Sequence, residues 1–415
     1  MIFGFGDGAV QHLKNTFVNF QTVSFPKPKL FFALFCSMKK IAYILLLLFV
    51  GTPFVNAQNV AQKRAATMGA GMNLSYLDNW WAGTKEKNYA DFAKPAEAAK
   101  REKIFADIAR AGFKTVRIPI NFGAWANYEK PYKWQNEEGL KIADSFVKWA
   151  LANNLNAIID LHHVEFDGKV EGAAKTDRIV WLWREIAERY KNTDPERVFF
   201  ELRNEPHDIK AEDWRAQAAA IIKTVRSVAP SHTLIVGFHD WNSRQALIDS
   251  KPFDDANIIY TFHFYDPFLF THQGATWSSA GLAEMKNVPF PYDAKRPIAI
   301  PEAVRGKWEE RLIADYAKDS SAEKITADLR AAKDWSVKNN VPIFVGEFGS
   351  YNKNPTLQDR CRHAETVYAA LGKLQIPNAW WEWDGGFSMF EKGKNEIATC
   401  MRKAIDSFNA ETRTK

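Results

Sequence analysis

Residues 198–206 read Val-Phe-Phe-Glu-Leu-Arg-Asn-Glu-Pro, a short apolar run that ends in Asn204-Glu205-Pro206. A run of this length that does not alternate with polar residues is typical of a strand buried on both faces. Such strands occur in parallel sheets covered by helices. The stretch therefore predicts a buried parallel strand with Asn204 and Glu205 at its carboxyl end.

The same kind of run recurs along the chain, and longer amphipathic stretches separate the runs. The other runs are Ala70–Asn73, Thr115–Ile120, Asn156–His162, Thr233–Phe238, Ile258–Phe264, Pro342–Phe348 and Ala379–Trp383. The helical stretches include Ala96–Ala111, Glu137–Asn153, Thr176–Lys191, Ala211–Val228, Ser321–Asn339 and Gln358–Leu374. Eight strands alternating with helices predict an α/β fold, a single (β/α)8 TIM barrel with long loops on its C-terminal face. A doubly wound sheet would normally bring a Gly-rich phosphate loop after the first strand, and the sequence has none there.

One predicted connection is unusually long. From Asp266 to about Asp319 the chain is rich in Pro, Gly and aromatic residues. Loops of this length are uncommon unless they serve a function. In a barrel this loop follows strand six, on the face where active sites are built.

The N-terminal part has the pattern of a signal peptide. Met38-Lys39-Lys40 precedes the apolar run Ile41–Val50, and Val55-Asn56-Ala57 has small residues at cleavage spacing. We therefore expect a signal peptide at 38–57. The alternative is one long anchor from Leu30 to Val50, but two lysines interrupt it.

The predicted signal peptide determines the domain boundaries and the partners that we expect. Residues 1–37 are expected to be a mis-called extension, and 58–415 to be an exported catalytic barrel in the periplasm or outside the cell. The apolar run is about half the length of a membrane span, so we expect no stable membrane insertion. Residues 1–57 hold five Lys and one Asp, which leaves a charge of +2 of the total +6 for the remainder. We expect no nucleic-acid partner, and we expect a monomer.

The three cysteines are Cys36, Cys361 and Cys400. The first lies in the predicted leader. The other two lie in two consecutive C-terminal helices, where either a disulfide or two free thiols is possible. Free thiols are the expectation, by a narrow margin. No Cys or His cluster has zinc-site spacing, so we expect no metal and no cofactor.

Polar residues gather at the carboxyl ends of the predicted strands. They are Arg117, His162, His163, Asn204, Glu205, His263, Tyr265, Glu347, Trp381 and Glu382. Each one alone has a structural explanation, such as a turn residue, an ion pair or a rim histidine. Their joint position on one rim predicts an active site, because that rim is where the loops leave room for substrate.

Glu205 and Glu347 lie on strands that face each other across a barrel mouth. In glycoside hydrolysis one carboxylic acid protonates the leaving oxygen, and in a retaining enzyme the other attacks the anomeric carbon. Arg117 is expected to keep Glu347 ionised by lowering its pKa, and Tyr265 to donate a hydrogen bond to it. Glu205 should have a raised pKa, because it must start protonated.

The chain resembles glycoside hydrolase family 5, of the cellulase type, over almost all of residues 58–415. The motifs that carry the resemblance are Gly71-Met72-Asn73, Val116-Arg117-Ile118-Pro119, Asp160-Leu161-His162-His163, Glu201-Leu202-Arg203-Asn204-Glu205-Pro206, Thr261-Phe262-His263-Phe264-Tyr265, the segment Thr271–Trp277, Val345-Gly346-Glu347-Phe348-Gly349 and Trp381-Glu382-Trp383. Asn-Glu-Pro after the fourth strand, together with Gly-Glu-Phe-Gly at the seventh, is a combination specific to this family.

The resemblance implies a role for each matching residue. Glu205 would be the acid/base and Glu347 the nucleophile of a retaining enzyme. Substrate-binding or supporting roles fall to Asn73, Arg117, His162, His163, Asn204, His263, Tyr265, Trp277, Trp381 and Glu382. In particular, Asn204 would bind the sugar 2-hydroxyl, and Trp381 would be a stacking floor, which in this family often adjoins a cis peptide bond. Trp277 would stack on a sugar, or it would only anchor a loop.

The implied activity is endo-β-1,4-glucanase, with a β-glucan polysaccharide or oligosaccharide as substrate. β-Mannanase, xyloglucanase and β-1,3-glucanase remain alternatives. Ser75 and residues 77–81 depart from the pattern of many relatives. Both lie near the expected non-reducing side of the cleft, so the sugar preference on that side stays open. A metal-dependent barrel hydrolase built on His162, His163, Glu165 and His263 is a remote alternative, since adjacent strand residues point to opposite faces. A non-catalytic carbohydrate-binding barrel would have lost one of the two carboxylates.

Overall fold

The computed structural model describes residues 59–78, 94–162 and 175–413. Its strands are β1 (Ala70–Asn73), β2 (Thr115–Ile120), β3 (Asn156–Leu161), β4 (Val198–Glu201), β5 (Thr233–Val236), β6 (Ile258–Phe264), β7 (Ile343–Phe348) and β8 (Asn378–Trp380). Each strand pairs in parallel with the next, and β8 pairs with β1, so the sheet closes into a barrel. The predicted (β/α)8 fold is confirmed.

Helices surround this barrel. They are α1 (Val60–Met68), α2 (Pro95–Arg110), α3 (Glu137–Ala152), α4 (Thr176–Tyr190), α5 (Ala211–Val228), α6 (Arg244–Asp249), α7 (Phe268–Thr271), α8 (Ala280–Glu284), α9 (Trp308–Asp319), α10 (Ala322–Asn339), α11 (Leu357–Leu374) and α12 (Thr399–Arg413). Short 3-10 turns lie at Phe122–Trp125 and Glu302–Val304. The six predicted helical stretches all correspond to helices, and no end differs by more than one residue.

The long connection after β6 is only partly a loop. Its last twelve residues form α9, so the prediction of a loop up to Asp319 is wrong there. Trp308, Leu312, Ile313 and Tyr316 recur at helical spacing in this helix, so its apolar pattern was present in the sequence, although only Glu309 and Tyr316 are fully buried. We call residues 266–319 the β6 insert.

One buried carboxylate ties the β6 insert to helix α11. Asp359 accepts hydrogen bonds from the Phe290 amide and from both terminal nitrogens of Arg296, at 2.8–3.2 Å. Burial works against its ionisation, but these bonds and one from Thr356 lower the pKa of Asp359 to about 2. The insert is therefore held against the barrel by a charged side chain on α11.

Helix α1 closes the bottom of the barrel. Ala61, Ala65 and Met68 pack against inward-facing residues of the strands, which are Ile158, Phe199, Ile235, Ile259, Phe344 and Ala379. This apolar layer is separate from the larger core between the strands and the outer helices. The bottom of the barrel is thus an apolar plug, and space for chemistry remains only at the opposite end.

Cys361 on α11 and Cys400 on α12 form a disulfide, with their Cα atoms 5.6 Å apart. The expectation of free thiols is therefore wrong. The two helices lie side by side, which brings together cysteines that are 39 residues apart in sequence. Helix geometry alone could not predict which faces of these helices meet.

The described residues belong to one compact unit, 58–415. No helix within these described ranges is long and apolar enough to cross a membrane. The predicted extension at 1–37 and the predicted signal peptide at 38–57 lie outside the described residues.

Candidate active site

The inner face of the barrel changes from apolar to polar toward the C-terminal end of the strands. On β3, Ile158 belongs to the apolar plug, and Asp160 and His162 follow at steps of two residues. Side chains two residues apart point to the same side of a strand. On β6 the same step leads from Ile259 through Thr261 to His263. The polar layer is therefore a direct continuation of the inward-facing residues.

Glu347 joins this layer because β7 contains an irregularity. Phe262 pairs with Val345, but the next residue, His263, pairs with Glu347, so Gly346 is extra. A bulge of one residue reverses which side chains point inward beyond it. A Cβ on Gly346 would lie 2.7 Å from the Thr261 hydroxyl, so glycine is the residue that fits there. The bulge turns Glu347 toward His263 and into the barrel mouth.

Arg117 on β2 is the buried cation at the centre of the layer. Its guanidinium donates two hydrogen bonds to Glu201, at 2.7 and 2.9 Å, and one to Glu347, at 2.7 Å. It also lies 3.0 Å from Asp160. Burial alone would lower the pKa of Arg117, but these carboxylates raise it well above its ordinary value. Arg117 therefore stays charged in a fully buried position.

Two amide side chains complete the shell around Arg117. Asn73 and Asn204 each accept a hydrogen bond from the guanidinium, at 3.0 and 2.9 Å. Asn73 also donates to the carbonyls of Gly346 and Trp380. These bonds connect the ends of β1, β4, β7 and β8 to the same cation.

Glu205 and Glu347 face each other across the mouth. Ligand-capable atoms of Glu205, His263 and Glu347 all lie within 4.8 Å of one another. His263 Nδ1 is 2.7 Å from a Glu205 oxygen, and the Tyr265 hydroxyl donates to Glu347 at 2.9 Å. A retaining glycosidase needs its two carboxyl groups about 5 Å apart, whereas an inverting one needs roughly 6.5–9.5 Å. The observed spacing matches the retaining arrangement.

The two carboxyl groups have different surroundings. Burial raises the pKa of Glu205 to about 7, as expected for a group that must start protonated. Burial also raises the pKa of Glu347, and it outweighs the opposing effects of His263, Arg117 and Tyr265. The expectation that Arg117 would produce a net lowering is therefore wrong, although its own effect has the expected sign.

The residues after β8 form the next part of the cleft. The Trp381–Glu382 peptide bond is cis. The Trp381 indole stacks on the His162 imidazole, with ring centres 5.5 Å apart, and His162 Nδ1 is 2.7 Å from Asp160. Ser75 donates a hydrogen bond to Glu382. Ser75, which departs from the resemblance, thus contacts one of the residues predicted to bind sugar.

Trp277 lies at the protein surface. Its side chain is 59% exposed and meets the ring of Tyr351 edge-on, with centroids 4.7 Å apart. This contact fits both the predicted sugar platform and the alternative of a loop anchor. His163 lies outside the described residues, so its predicted position stays a prediction. The other predicted site residues all reach the barrel mouth.

Sequence reasoning did not assign several residues that the structure places at the site. Asp160 and Glu201 are the main ones, and both are fully buried beside Arg117. The signal was available, because each precedes a predicted site residue within a quoted motif. Asp78, His207 and Trp241 had no such signal, since loop folding alone brings them near the mouth.

Within the described ranges, Glu205, His263 and Glu347 form the one group of three side chains that could ligate a metal. This set differs from the histidine-rich set considered from the sequence. Each member already has a partner, because His263 contacts Glu205 and Glu347 accepts from Arg117 and Tyr265. His263 thus lies between the two carboxyl groups, 2.7 Å from an oxygen of Glu205 and 3.5 Å from an oxygen of Glu347.

Comparison with known proteins agrees with this geometry. The chain is 32% identical over 313 residues to Endoglucanase 3 of Fibrobacter succinogenes, which covers 70% of the chain and 47% of that protein. It is 28% identical over 291 residues to Endoglucanase C of Acetivibrio thermocellus, covering 68% of the chain and 83% of the relative. The chain thus spans about half the length of the first relative and most of the second.

Solved structures show the same similarity. Thermotoga maritima Cel5A in complex with cellobiose superposes with a TM-score of 0.65 at 27% identity, covering 83% of this chain and 99% of that one. The same protein has been solved with mannotriose. The family model for cellulase, glycosyl hydrolase family 5, matches residues 69–386. This chain therefore belongs to the cellulase family, glycosyl hydrolase family 5.

Proposed function

We propose that the protein is a retaining endo-β-1,4-glucanase that acts on cellulosic or mixed-linkage β-glucans. The observation that carries the proposal is the Glu205–Glu347 pair, whose oxygens approach within 4.8 Å. That spacing leaves no room for a water between acid and nucleophile, as inversion would require. The endoglucanase names of the relatives support the choice of glucan.

In the first step Glu347 attacks the anomeric carbon while Glu205 protonates the leaving oxygen. Glu347 has Arg117 and Tyr265 as direct hydrogen-bond donors, whereas His263 contacts Glu205. Of the two carboxyl groups, Glu347 is therefore better able to hold the negative charge, and the proton stays on Glu205. The products are a glycosyl ester on Glu347 and a shortened sugar chain.

In the second step Glu205 acts as a base. Esterification removes the charge of Glu347, so the pKa of Glu205 falls and its carboxylate can accept a proton from water. The water oxygen attacks the anomeric carbon, and the ester bond to Glu347 breaks. The sugar leaves with its original configuration, and both carboxyl groups return to their starting state.

We also propose that the protein is exported as the mature chain that begins near Gln58. The support is the basic, apolar and small-residue pattern of 38–57. N-terminal sequencing of the protein recovered from the native host's extracellular and periplasmic fractions would test this. A recovered protein that begins at or upstream of residue 38 would contradict it.

Reducing-sugar release from a substrate panel tests the activity. The panel holds carboxymethyl-cellulose, barley β-glucan, glucomannan, galactomannan, xyloglucan and laminarin, and Glu205→Gln is measured beside the wild type. We expect release from the first two substrates and its loss in the variant. Because Thermotoga maritima Cel5A was solved with mannotriose, glucomannan is the informative comparison. Activity confined to galactomannan or laminarin would overturn the β-1,4-glucan assignment.

A further inference from the structure

Five consecutive residues near the start of helix α11 each connect this helix to another part of the chain. Asp359, Arg362 and His363 form hydrogen bonds with the β6 insert, and Cys361 is bonded to helix α12. Arg360 lies between them and reaches the loops after β7 and β8. Its side chain therefore projects from a turn of helix that the neighbouring residues hold in place.

Arg360 is a buried cation whose described hydrogen-bond acceptors are all uncharged. Its Nε donates to the carbonyl and hydroxyl oxygens of Ser350, at 3.2 and 3.3 Å, and its Nη2 to the carbonyls of Phe387 and Ser388, at 3.1 and 2.7 Å. Burial lowers the pKa of Arg360 to about 10, so the guanidinium remains charged at neutral pH. Buried charges are normally paired with an opposite charge, so an arginine held by carbonyl dipoles calls for a reason.

These acceptors belong to two loops that leave the barrel mouth side by side. Ser350 lies in the loop after β7, whereas Phe387 and Ser388 lie in the loop after β8. A Cβ on Gly349 would lie 2.5 Å from the Trp381 carbonyl oxygen, so the two loops are in direct contact. Arg360 supports this contact from the side of the outer helices, because carbonyls of both loops converge on one guanidinium.

The backbone of Phe387 connects Arg360 to Glu382. Its carbonyl accepts hydrogen bonds from Arg360 and from the Trp380 indole, the latter at 2.9 Å, and its amide donates to the Glu382 carboxylate. The Phe387 ring lies edge-on to that of Tyr265, with centroids 5.9 Å apart. A displacement of Phe387 would therefore move a hydrogen-bond donor of Glu382.

We propose that Arg360 is a positioning residue for the reaction, because it fixes the Phe387 backbone and thereby the orientation of Glu382 toward the sugar. This inference rests on the proposed function, in which Glu382 is one of the residues expected to bind sugar. Arg360 is buried behind both loops and acts on the substrate only through them. The resemblance assigns roles to residues at the barrel mouth and none to this arginine.

The shape of the guanidinium explains why an arginine serves here. Its nitrogens form a rigid planar fork, so one side chain donates to the loop after β7 through Nε and to the loop after β8 through Nη2. A lysine would bring the same charge on a flexible stem, as a single point. It would not hold both loops at a fixed separation.

A double-mutant cycle separates this role from a general loss of packing. We expect Arg360→Lys to lower kcat/KM for cellotetraose about three- to tenfold, because the charge stays but the fork is lost. In the Glu382→Ala background the same change should alter kcat/KM by less than about twofold, because the residue through which Arg360 acts is gone. The alkaline limb of the pH profile, which reports on Glu205, should keep its position in Arg360→Lys.

Arg178→Lys is the matched control. Arg178 is also a buried arginine on a helix, α4, and it donates to the carbonyls of Gly123, Ala126 and Asn127 in the segment after β2. Its replacement removes a comparable set of buried hydrogen bonds at a different loop. Any fall in kcat/KM that it causes should therefore be the same with and without Glu382.

An equal fall for Arg360→Lys in both backgrounds would overturn the proposal, and so would a shifted alkaline limb, which would mean a general distortion of the site. Arg360→Gln repeats the cycle with a larger expected fall, about 10- to 100-fold, because a misplacement of ~1 Å can cost that much. Failure of both Arg360 variants to fold, with Arg178→Lys folded, would mean that Arg360 serves the fold alone and would also overturn it. Wild-type inactivity on cellotetraose, with activity on another glycan, would contradict the proposed function instead, and the cycle on that glycan would still test Arg360.

Discussion

At the scale of single residues, the site depends on one fully buried cation among carboxylates. Arg117 contacts Glu201, Asp160 and Glu347, which are themselves buried. Removing one partner of a buried ion pair typically costs 3–5 kcal/mol, because the remaining charges lose their compensation. Arg117 therefore supports the fold and orients Glu347, the proposed nucleophile, at the same time, and a substitution there would not separate the two effects.

Glu347→Ala separates the effect on activity from the effect on folding better, because Arg117 keeps Glu201 and Asp160 as carboxylate partners. We expect turnover to fall by at least ~10³-fold while the protein stays folded, since the group that attacks the sugar is gone. Added azide should enter the vacated space and yield a glycosyl azide of inverted configuration, which NMR of the product would identify. Such an inverted product from Glu205→Ala, but not from Glu347→Ala, would mean that the two roles are reversed.

The pH dependence of kcat/KM reports on Glu205. Burial raises its pKa to about 7, and it must be protonated to act as an acid, so kcat/KM for cellotetraose should fall as pH rises through about 7. Glu205→Gln tested with β-cellobiosyl fluoride, which needs no acid in the first step, should lack this alkaline limb. Persistence of the limb in the variant would assign it to another group.

At the scale of secondary-structure elements, the disulfide joins the last two helices. Helices α11 and α12 pack side by side, and the bond between Cys361 and Cys400 closes a loop of 39 residues. Cross-linking a loop of this size restricts the unfolded chain. The bond therefore acts on the free energy of unfolding, because neither cysteine lies at the barrel mouth.

We expect reduction of this disulfide to lower the free energy of unfolding by ~2–4 kcal/mol, measured by urea denaturation with and without reductant. The Cys361→Ser/Cys400→Ser variant should match the reduced wild type and should not respond to reductant. Equal stability of the oxidised and reduced proteins would show that the bond contributes nothing to folding.

At the scale of the whole molecule, buried acids and buried histidines affect stability in opposite directions as pH changes. Burial raises the pKa of Asp160, Glu205 and Glu382 to about 7. Burial also lowers the pKa of His263 and His363 to about 4. A raised carboxyl pKa removes stability as pH rises, whereas a lowered histidine pKa removes stability as pH falls.

Two variants should expose these opposing effects. From pH 4.5 to 7, the unfolded state loses the Glu205 proton before the folded state does, so wild type should lose ~3 kcal/mol relative to Glu205→Gln. From pH 6.5 down to 4, wild type should lose ~3 kcal/mol relative to His363→Gln, because only the unfolded state gains the proton readily. Urea denaturation across pH 4–8 measures both. Parallel stability curves for all three proteins would contradict the burial argument.

The order of the elements and most of the site could be predicted from the sequence. Buried parallel strands leave continuous apolar runs, and their carboxyl ends carry polar side chains, so the positions of Glu205, His263 and Tyr265 followed from local patterns. Asp160 and Glu201 stood within the motifs that predicted the site, but their role was missed because the sequence does not show that both contact Arg117. Helix α9 has apolar residues at helical spacing and was overlooked within a stretch rich in Pro, Gly and aromatic residues. The Cys361–Cys400 bond depended on packing between two helices, which the pattern does not describe.

The sequence by itself determined the eight-strand barrel, the rim on which the chemistry lies and the two carboxylates, because strand burial and strand ends are local properties of the chain. Only the tertiary structure decided that Glu347 points into the barrel and that Trp241 lies beside the residues that follow Glu205. The first depends on the extra residue Gly346 in the pairing of β6 with β7, and the second on a left-handed turn packed against His207. Both are relations between segments distant in sequence, and they exist only once the barrel has closed.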